Sequence, residues 1–440
     1  MNIEYRLYLY LSIIGLHPKR NQPFIRNFIN KTGIITTKMN INSMRKIDKY
    51  IGVPICYLLS GINLLTKPFK RKPSKIEKIL FIQISEMGSA VSVAPSIIEL
   101  KKNHPKAEIH YLMFKEMSEI VEIMGLIKKE NIHTITNKSF FGMIIDVLKV
   151  TFQLKKFDVI IDLELFSRFS SILSYMIGAK DIIGFNKFYM EGLYRGNFQT
   201  KRMLYNHTKH ISLNFLACIH AIDKSRAEIP LLKEKLELKN LYPPLISSDK
   251  PSKDNILKKI KEINSEFDET KKIIILNPNG SMLLPLRRWP LTSYTELAKR
   301  IIKDTSDYII LTGTKSEEKD TKVISQAIND KRCINLTGKT TIKELIDLYN
   351  LSDVLISNDS GPPNFAALTK IKVIVLFGPE TPVCYLPRSR NITLIHSDLI
   401  CSPCVSAYNH RKSACNDNKC MKSITVDDVY NSLQFTTFKG

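Results

Sequence analysis

The sequence lacks both glycine-rich signatures of common nucleotide-binding enzymes. Neither a Walker A motif nor a GxGxxG fingerprint occurs in its 440 residues, which argues against an NTPase or a standard dinucleotide enzyme. It also has no recognised nucleic-acid-binding module and no interleaving of aromatic with basic residues, so we predict no nucleic-acid partner. No small-residue cleavage site follows the short apolar stretch at 8–16, and we therefore expect a cytoplasmic protein.

The sequence also lacks a run of about 20 apolar residues, which is the length that a membrane-spanning helix needs. The uncharged segment at 50–66 is shorter and contains Pro54 and Asn63. Basic residues flank it on both sides, namely Arg45, Lys46, Lys49, Lys67, Lys70, Arg71 and Lys72. These flanks favour peripheral contact with the anionic inner face of the cytoplasmic membrane. The alternative is a helix buried against the first domain.

Acidic residues are also scarce, because 42 Asp and Glu stand against 65 Lys and Arg and leave a net charge of +23. Such a surplus attracts phospholipid headgroups, nucleic acids or phosphorylated substrates, and does not choose among them. The high Lys, Ile and Asn content is also what an AT-rich genome produces. Hydrophobic residues make up 44% of the chain, which is a globular composition.

What is present is an alternation of apolar runs and helical stretches, repeated in two halves. The runs predict buried parallel strands at 78–84, 108–113, 157–163, 272–278, 307–313, 353–359 and 371–378. This pattern is typical of two doubly wound α/β domains. Ligands of such sheets bind at the carboxyl ends of the strands, so the cleft between the domains is the expected active site.

The same pattern sets the predicted domain boundaries. The proline- and charge-rich stretch around 242–272 separates the two halves. We predict a membrane-associated N-terminal segment (1–73), a Rossmann-like acceptor domain (74–245), an interdomain region (246–271), a Rossmann-like donor-nucleotide domain (272–395) and a cysteine-rich C-terminal segment (396–440).

Small polar turns follow four of the predicted strands. Such turns expose backbone N–H groups at helix N-termini, and this geometry binds phosphate without a dedicated lysine loop. Turns between strands and helices use these residues generally, so the prediction rests on four occurring together. The residues predicted to bind the donor are Gly88, Ser89, Asn277, Gly280, Thr312, Gly313, Asp359, Ser360 and Gly361.

Three blocks of the sequence resemble the signature blocks of the heptosyltransferase-like family, family 9 of the glycosyltransferases. They are ILFIQISEMGSAVSVAPSIIELKKNHP, NPNGSMLLPLRRWPLTSYTELAKRI and SNDSGPPNFAALTKIKVIVLFGPETP. Their order and spacing are also similar, and the resemblance spans residues 75–382. It implies a GT-B fold in which the second domain holds most of the donor nucleotide. It further implies inversion at the transferred sugar without an obligatory metal ion.

The resemblance also implies roles for individual residues. Arg287 stands where the family places a basic residue against the donor phosphates, and a guanidinium there neutralises the leaving diphosphate. The alternative is a solvated charge at a helix start. Asp359, Ser360 and Gly361 match the turn that abuts the diphosphate and sugar, although the same residues also suit a helix N-cap. Glu317 falls near the carboxylate that the family uses for the ribose, and a solvated surface charge is the alternative.

Two positions depart from the family's pattern. Ser89 replaces the catalytic aspartate of the first loop, and Asn364 replaces a histidine that often follows the Asp-Ser/Thr-Gly turn. Serine cannot act as a general base at neutral pH, so we predict that Glu86 takes that role, with turn capping as its alternative. Asp162 and Glu164 follow a strand of the acceptor domain. They are predicted to bind acceptor hydroxyls, or Glu164 is the base instead. The alternative is that these acids only cap the next helix.

Four of the eight cysteines crowd near the C-terminus. Cys401, Cys404, Cys415 and Cys420 have the spacing C-x₂-C-x₁₀-C-x₄-C, with His410 between them. In a reducing cytosol this spacing suits a structural zinc ion better than disulfides. The alternative is a cluster that only pins the C-terminal segment.

These features predict an inverting glycosyltransferase for hexosyl or heptosyl groups. By resemblance, the donor is an ADP-heptose-like nucleotide sugar and the acceptor a lipopolysaccharide-type or other envelope glycan. The alternative is a catalytically inactive, membrane-associated protein that binds nucleotide sugar or glycan. Ser89 and Asn364 motivate that alternative.

Overall fold

The structure is a computed structural model, and it describes residues 41–66, 75–84, 87–136, 140–186, 194–226, 232–280, 284–409 and 411–434. Two helices, α1 (Ile41–Tyr50) and α2 (Gly52–Thr66), precede the first sheet. Within the described ranges no helix combines the length and the apolar character that crossing a membrane requires.

The first domain is a parallel sheet with the strand order β3-β2-β1-β4-β5-β6. Its strands are buried on both faces because helices cover both sides, which explains their continuous apolar runs. The strands are β1 (Lys78–Ile82), β2 (Glu108–Phe114), β3 (Ile132–Ile135), β4 (Phe157–Asp162), β5 (Ala179–Phe185) and β6 (Lys201–Met203). The helices are α3 (Met87–Asn103), α4 (Ser118–Met124), α5 (Phe140–Gln153), α6 (Arg168–Ile177) and α7 (Ile211–His220).

The second domain repeats this winding, since its sheet has the order β12-β11-β10-β7-β8-β9. Its strands are β7 (Ile273–Asn277), β8 (Tyr308–Leu311), β9 (Cys333–Asn335), β10 (Val354–Asn358), β11 (Lys372–Phe377) and β12 (Ile392–His396). Its helices are α8 (Lys250–Ile263), α9 (Leu291–Asp304), α10 (Glu318–Ile328), α11 (Ile342–Leu351), α12 (Gly361–Ala366), α13 (Pro382–Tyr385), α14 (Lys419–Lys422) and α15 (Val426–Gln434). The predicted pair of doubly wound Rossmann-like domains is confirmed.

The two domains contact each other at the carboxyl ends of their strands. Helix α3, which follows β1, packs against α12, which follows β10. Nearby, the hydroxyl groups of Tyr205 and Tyr385 are 3.0 Å apart, and His210 Nε2 lies 2.8 Å from the carbonyl oxygen of Leu386. The predicted interdomain region, 246–271, contains α8, which packs against α11 of the second domain.

Helix α2 packs on α6 through small and polar side chains instead of large apolar ones. The residues that it buries are small or polar, namely Gly52, Cys56, Ser60 and Asn63. Ser60 Oγ lies 3.0 Å from the Tyr194 hydroxyl, and Asn63 Nδ2 donates to the carbonyl oxygen of Asn197. The opposite side of the helix is apolar and exposed to solvent. This pattern inverts the usual arrangement of a surface helix, whose apolar stripe faces the core.

Candidate active site

Asn358, at the end of β10, joins three loops of the second domain. Its Nδ2 donates to the carbonyl oxygens of Pro278 and Asn279, at 3.0 and 3.2 Å. Its Oδ1 accepts from the Trp289 backbone N–H at 3.0 Å and from the Tyr294 hydroxyl at 3.2 Å. All of these groups are buried, so each bond replaces lost contacts with water. One amide therefore holds the NPNG, RRWP and NDSGP blocks in a single arrangement.

Arg287 lies at this edge of the sheet, on a short 3₁₀ turn, Pro285–Arg287. Its Nη1 is 3.3 Å from Asp359 Oδ2, and its Nη2 is 2.9 Å from Glu380 Oε2. Only 12% of the side chain is exposed. Its Nε is buried, and within the part of the chain that the structure describes no atom accepts a hydrogen bond from it. The guanidinium predicted to meet the donor phosphates is thus held between two carboxylates.

Glu380 is a site residue that the sequence analysis did not select. It follows β11, in the LFGPETP stretch, and its side chain is almost completely buried. Arg411 Nε is 3.9 Å from its Oε2, and the Thr381 N–H donates to its Oε1 at 3.4 Å. Burial raises the pKa of Glu380 to about 7, although the Arg287 and Arg411 guanidinium groups oppose this shift. The available signal was an acid directly after a central strand, at the same edge as Asp359.

The turns after β7 and β8 are joined by side-chain amides. Asn277 Nδ2 donates to the carbonyl oxygen of Thr312 at 3.2 Å and to its hydroxyl at 3.1 Å. A Cβ at Gly313 would lie 2.4 Å from Asn279 Nδ2, so any larger residue there would force the Asn279 amide to move. The structure therefore brings the predicted donor-binding residues Asn277, Thr312 and Gly313 together.

Glu317 and Gly280 lie beside this pair of turns. Glu317 Oε2 accepts from the backbone N–H of Thr314 at 2.7 Å and from its hydroxyl at 2.8 Å, which makes it part of a capping box. The carbonyl oxygen of Gly280 accepts from Arg288 Nη2 at 2.9 Å. A role of Glu317 toward a ribose stays a prediction beside its capping role.

The first turn of α3, in the first domain, meets the Asp-Ser-Gly turn of the second domain. A Cβ at Gly88 would lie 3.1 Å from Asn364 Nδ2, which itself donates to the carbonyl oxygen of Ser360 at 3.1 Å. Ser89 follows in the same first turn of α3 and is partly buried. A Cβ at Gly361 would stay 3.5 Å from Phe365, so space remains beside that glycine. Both departures from the family pattern, at 89 and 364, thus fall at one domain contact.

The structure separates the two predicted acceptor acids. Asp162 is fully buried, forms an ion pair with Arg195 and accepts from Ser170 Oγ at 3.1 Å. The backbone N–H of Glu164 donates to Asp162 Oδ1 at 3.1 Å. Asp162 has no exposed surface that could contact a sugar hydroxyl. Instead, it holds the backbone of Glu164 in place.

Glu164 itself is only partly buried. Its Oε1 accepts from the backbone N–H of Ile84 at 2.7 Å, directly before the first loop. Glu86, the other candidate base, lies outside the described residues. Glu164 is therefore attached to the segment that carries Glu86 and Ser89.

The C-terminal segment contacts the first domain through Tyr408. The Tyr408 ring lies 6.0 Å from the Phe166 ring and 5.2 Å from the His207 ring, centroid to centroid. Its hydroxyl donates to the carbonyl oxygen of Tyr205 at 3.2 Å. Because Arg411 follows shortly after, this segment connects the first domain with Glu380.

The four clustered cysteines belong to the same segment. Cys401 and Cys415 are exposed, Cys404 is half-buried and Cys420 is buried. Burial raises the pKa of Cys420, and the other three thiols add to the shift because they lie near it. Among the described residues, which exclude His410, no three His, Cys, Asp or Glu side chains are arranged to hold a metal ion. The zinc ion thus stays a prediction from spacing.

The sequence is similar to one known family over more than half of its length. A family model described as glycosyltransferase family 9 (heptosyltransferase) matches residues 147–414. Lipooligosaccharide heptosyltransferase 2 from Campylobacter jejuni is 32% identical over 36% of this chain and 49% of its own length. Lipopolysaccharide heptosyltransferase 1 from Campylobacter coli is 24% identical over 68% of this chain and 84% of its own length. The chain spans about half the length of the first of these relatives.

A solved heptosyltransferase structure has a similar fold. The solved structure of an ADP-heptose lipopolysaccharide heptosyltransferase II from E. coli matches 81% of this chain and 98% of its own chain, with a TM-score of 0.63 and 19% identity. At this level of identity the match concerns the fold, and it supports the GT-B architecture.

Proposed function

The chain belongs to glycosyltransferase family 9, and on that basis we propose that it transfers a sugar from an ADP-heptose-like donor to a lipopolysaccharide-type acceptor. The family resemblance is thereby confirmed, and the match includes the second and third of the three sequence blocks. One observation supports the proposal most directly. Arg287 is held between Asp359 and Glu380 at the carboxyl edge of the second sheet, where doubly wound domains bind their ligands.

The proposed reaction uses both sides of the cleft. A carboxylate of the first domain removes the proton from an acceptor hydroxyl, and the resulting oxygen attacks the anomeric carbon of the donor. The bond from that carbon to the phosphate oxygen breaks, and the nucleoside diphosphate leaves with the electron pair. Arg287 stabilises the negative charge that grows on the diphosphate. Attack from the face opposite the leaving group inverts the anomeric centre.

The direct test is a transfer assay with purified protein, ADP-heptose and lipopolysaccharide cores that lack outer heptose. We expect ADP release that depends on the acceptor, and a mass increase of one heptose on the acceptor. A thermal-shift series with ADP, UDP and GDP identifies the nucleobase of the donor, since the ligand that binds most tightly raises the stability of the protein most by mass action. Binding of a nucleotide sugar with no release or transfer would instead support the inactive alternative.

We also propose that the protein acts from the membrane surface, through helix α2. Tyr57, Leu58, Leu64 and Leu65 are between 63% and 78% exposed. Helix α5, which also packs against α6, adds further exposed apolar side chains, including Phe152 at 71%. Lys49 and Lys155 lie over neighbouring aromatic rings. An apolar face with basic residues at its border suits the headgroup region of an anionic bilayer.

Substitution of the exposed leucines tests this attachment. The triple variant Leu58→Gln, Leu64→Gln, Leu65→Gln is expected to lower partition onto anionic vesicles roughly 100-fold, because each interfacial leucine contributes about 1 kcal/mol or more. These side chains face solvent, so thermal stability should stay within about 1 °C. Vesicle sedimentation measures the partition, and high salt should release part of the wild-type protein. Equal sedimentation of both forms would refute the proposal.

Removal of residues 1–73 is the coarser version of this experiment, and we expect the truncated protein to lose vesicle binding. The substitutions are the cleaner test, because Asp48 pairs with Arg168 at 3.1 Å and truncation breaks that buried contact. Gel filtration of the triple variant serves as a second readout. A wild-type dimer that the variant converts to monomer would mean that a second copy, not a membrane, covers the helix.

We propose lastly that the four clustered cysteines hold one structural zinc ion. Elemental analysis of protein purified under reducing conditions should then give about one zinc per chain. The double variant Cys401→Ser, Cys404→Ser should lose the metal and melt at a lower temperature. As a control, Cys333→Ser should keep it, since that cysteine lies on β9. If the wild-type protein contained no metal and melted at the same temperature with and without added zinc, this proposal would be contradicted.

A further inference from the structure

Glu380 lies where an anionic ligand of Arg287 is expected. We propose that Glu380 is the resident counter-ion of the donor's diphosphate site: it holds the Arg287 and Arg411 guanidinium groups in the free protein, and the diphosphate displaces it with uptake of one proton. This inference rests on the proposed function, because it takes a nucleoside diphosphate as the ligand. It adds two residues, Glu380 and Arg411, to the site.

The charges around Glu380 support this exchange. The groups that face it are Arg287, Arg411, Asp359, Cys384 and Tyr385. Burial raises the pKa of Cys384 to about 11 and of Tyr385 to about 12, so both stay neutral near pH 7. When Glu380 is ionised, two guanidinium groups and two carboxylates remain, and their charges cancel. A diphosphate placed here would give a buried excess of negative charge, which is strongly unfavourable.

Glu380 is the group best able to remove that excess. Its carboxyl is more deeply buried than that of Asp359, and its pKa of about 7 already lies far above the usual range. A nearby diphosphate raises the pKa further, because a second negative charge disfavours ionisation. Protonation then leaves a neutral carboxylic acid beside the ligand.

Arg411 is positioned to move from Glu380 to the bound diphosphate. Its segment is attached to the turn that carries Glu380, since the backbone N–H groups of Cys404 and Val405 donate to the carbonyl oxygen of Pro379 at 3.0 and 2.9 Å. The Arg411 side chain is 30% exposed, which leaves it room to turn toward a phosphate oxygen. The C-terminal segment thereby supplies a second guanidinium to the leaving group.

The direction of the pH effect follows from linkage. Glu380 has a pKa of about 7 in the free protein and a higher one in the complex, so binding takes up a proton between these two values. Affinity is therefore highest below pH 7 and falls as the pH rises. If the bound pKa lies above 9, the Kd rises roughly 20-fold between pH 7.5 and 9. This range lies above the second pKa of a phosphate, about 6, so the ligand's charge stays constant.

Isothermal titration calorimetry with ADP tests the inference on the full-length protein. Titrations at pH 8 in two buffers of different ionisation enthalpy should show an uptake of close to one proton. The variant Glu380→Gln should show no uptake and a Kd that changes less than threefold between pH 7.5 and 9. The matched control Glu296→Gln, an exposed acid on α9, should behave as the wild type does.

Arg411→Gln gives an independent readout. Loss of its charge should weaken ADP binding several-fold and shift the onset of the pH effect above pH 7, because Arg411 lowers the pKa of Glu380. Wild-type binding without proton uptake, or equal pH profiles of wild type and Glu380→Gln, would overturn the inference and leave the proposed function standing. If neither ADP, UDP nor GDP binds the wild type, both fall together.

Discussion

Arg287→Ala is expected to lower kcat/KM for sugar transfer by roughly 10³-fold, the upper range for loss of one group that stabilises transition-state charge. The guanidinium faces Asp359 and Glu380 in the free protein, and the diphosphate competes for the same group. Both donor affinity and kcat should fall, because the charge on the leaving group grows as its bond to the sugar breaks. Steady-state kinetics with varied donor concentration separates the two effects.

Two controls make this result specific. Arg287→Lys keeps the charge and should recover part of kcat, but a single ammonium cannot span both carboxylates as the guanidinium fork does. Arg300→Ala removes an arginine on α9 that pairs with Asp427 at the surface, and should change kcat/KM less than twofold. Full activity of Arg287→Ala would mean that the donor diphosphate binds elsewhere.

Arg287→Ala should also change how stability depends on pH. Without the guanidinium, Asp359 and Glu380 are two carboxylates in a buried site with less compensating charge. The pKa of Glu380 then rises above its wild-type value, and stability is lost as the pH increases through the range where the carboxyl ionises in the unfolded chain but not in the folded one. The variant should therefore melt at a higher temperature at pH 6 than at pH 8, relative to wild type.

The fold was predictable because parallel strands buried on both faces must be nearly all apolar. The runs that became β1, β7 and β11 each contain at least four consecutive apolar residues, and their spacing leaves room for crossover helices. Short edge strands were not predicted. Strand β6 has only three residues, two of them basic, and a segment of that kind has no pattern that separates it from a loop.

The site was less predictable, because burial and pairing of polar residues depend on contacts between distant parts of the chain. Glu380 appears in the sequence as one acid among many, and only the approach of Arg287 and Arg411 gives it a special environment. Asn358 likewise gains its role from three loops that meet in space. Asp162 shows the converse, since its strand-end position predicted a ligand of acceptor hydroxyls and the structure buries it in an ion pair with Arg195.

The second large effect concerns the general base. Glu164→Gln is expected to lower kcat by roughly 10²- to 10⁴-fold if Glu164 takes the acceptor proton. Glutamine keeps the oxygen that accepts from Ile84 N–H at 2.7 Å, so the first loop should stay in place. Donor affinity should also be unchanged, because the proposed diphosphate site lies on the other domain. A fall in kcat alone therefore reports proton transfer.

Glu86→Gln is the competing experiment, and it carries the same expected loss if Glu86 is the base. Ser89→Ala is the matched control in the same loop and should be mild if the serine only forms the turn. The pH profile of kcat separates a base from a positioning residue, since loss of the base removes the acidic limb of the profile. If only one of the two glutamine variants loses activity and that limb, it names the base. If neither does so and no transfer is found in any form, the departures at Ser89 and Asn364 mark a protein that binds its ligands without catalysis.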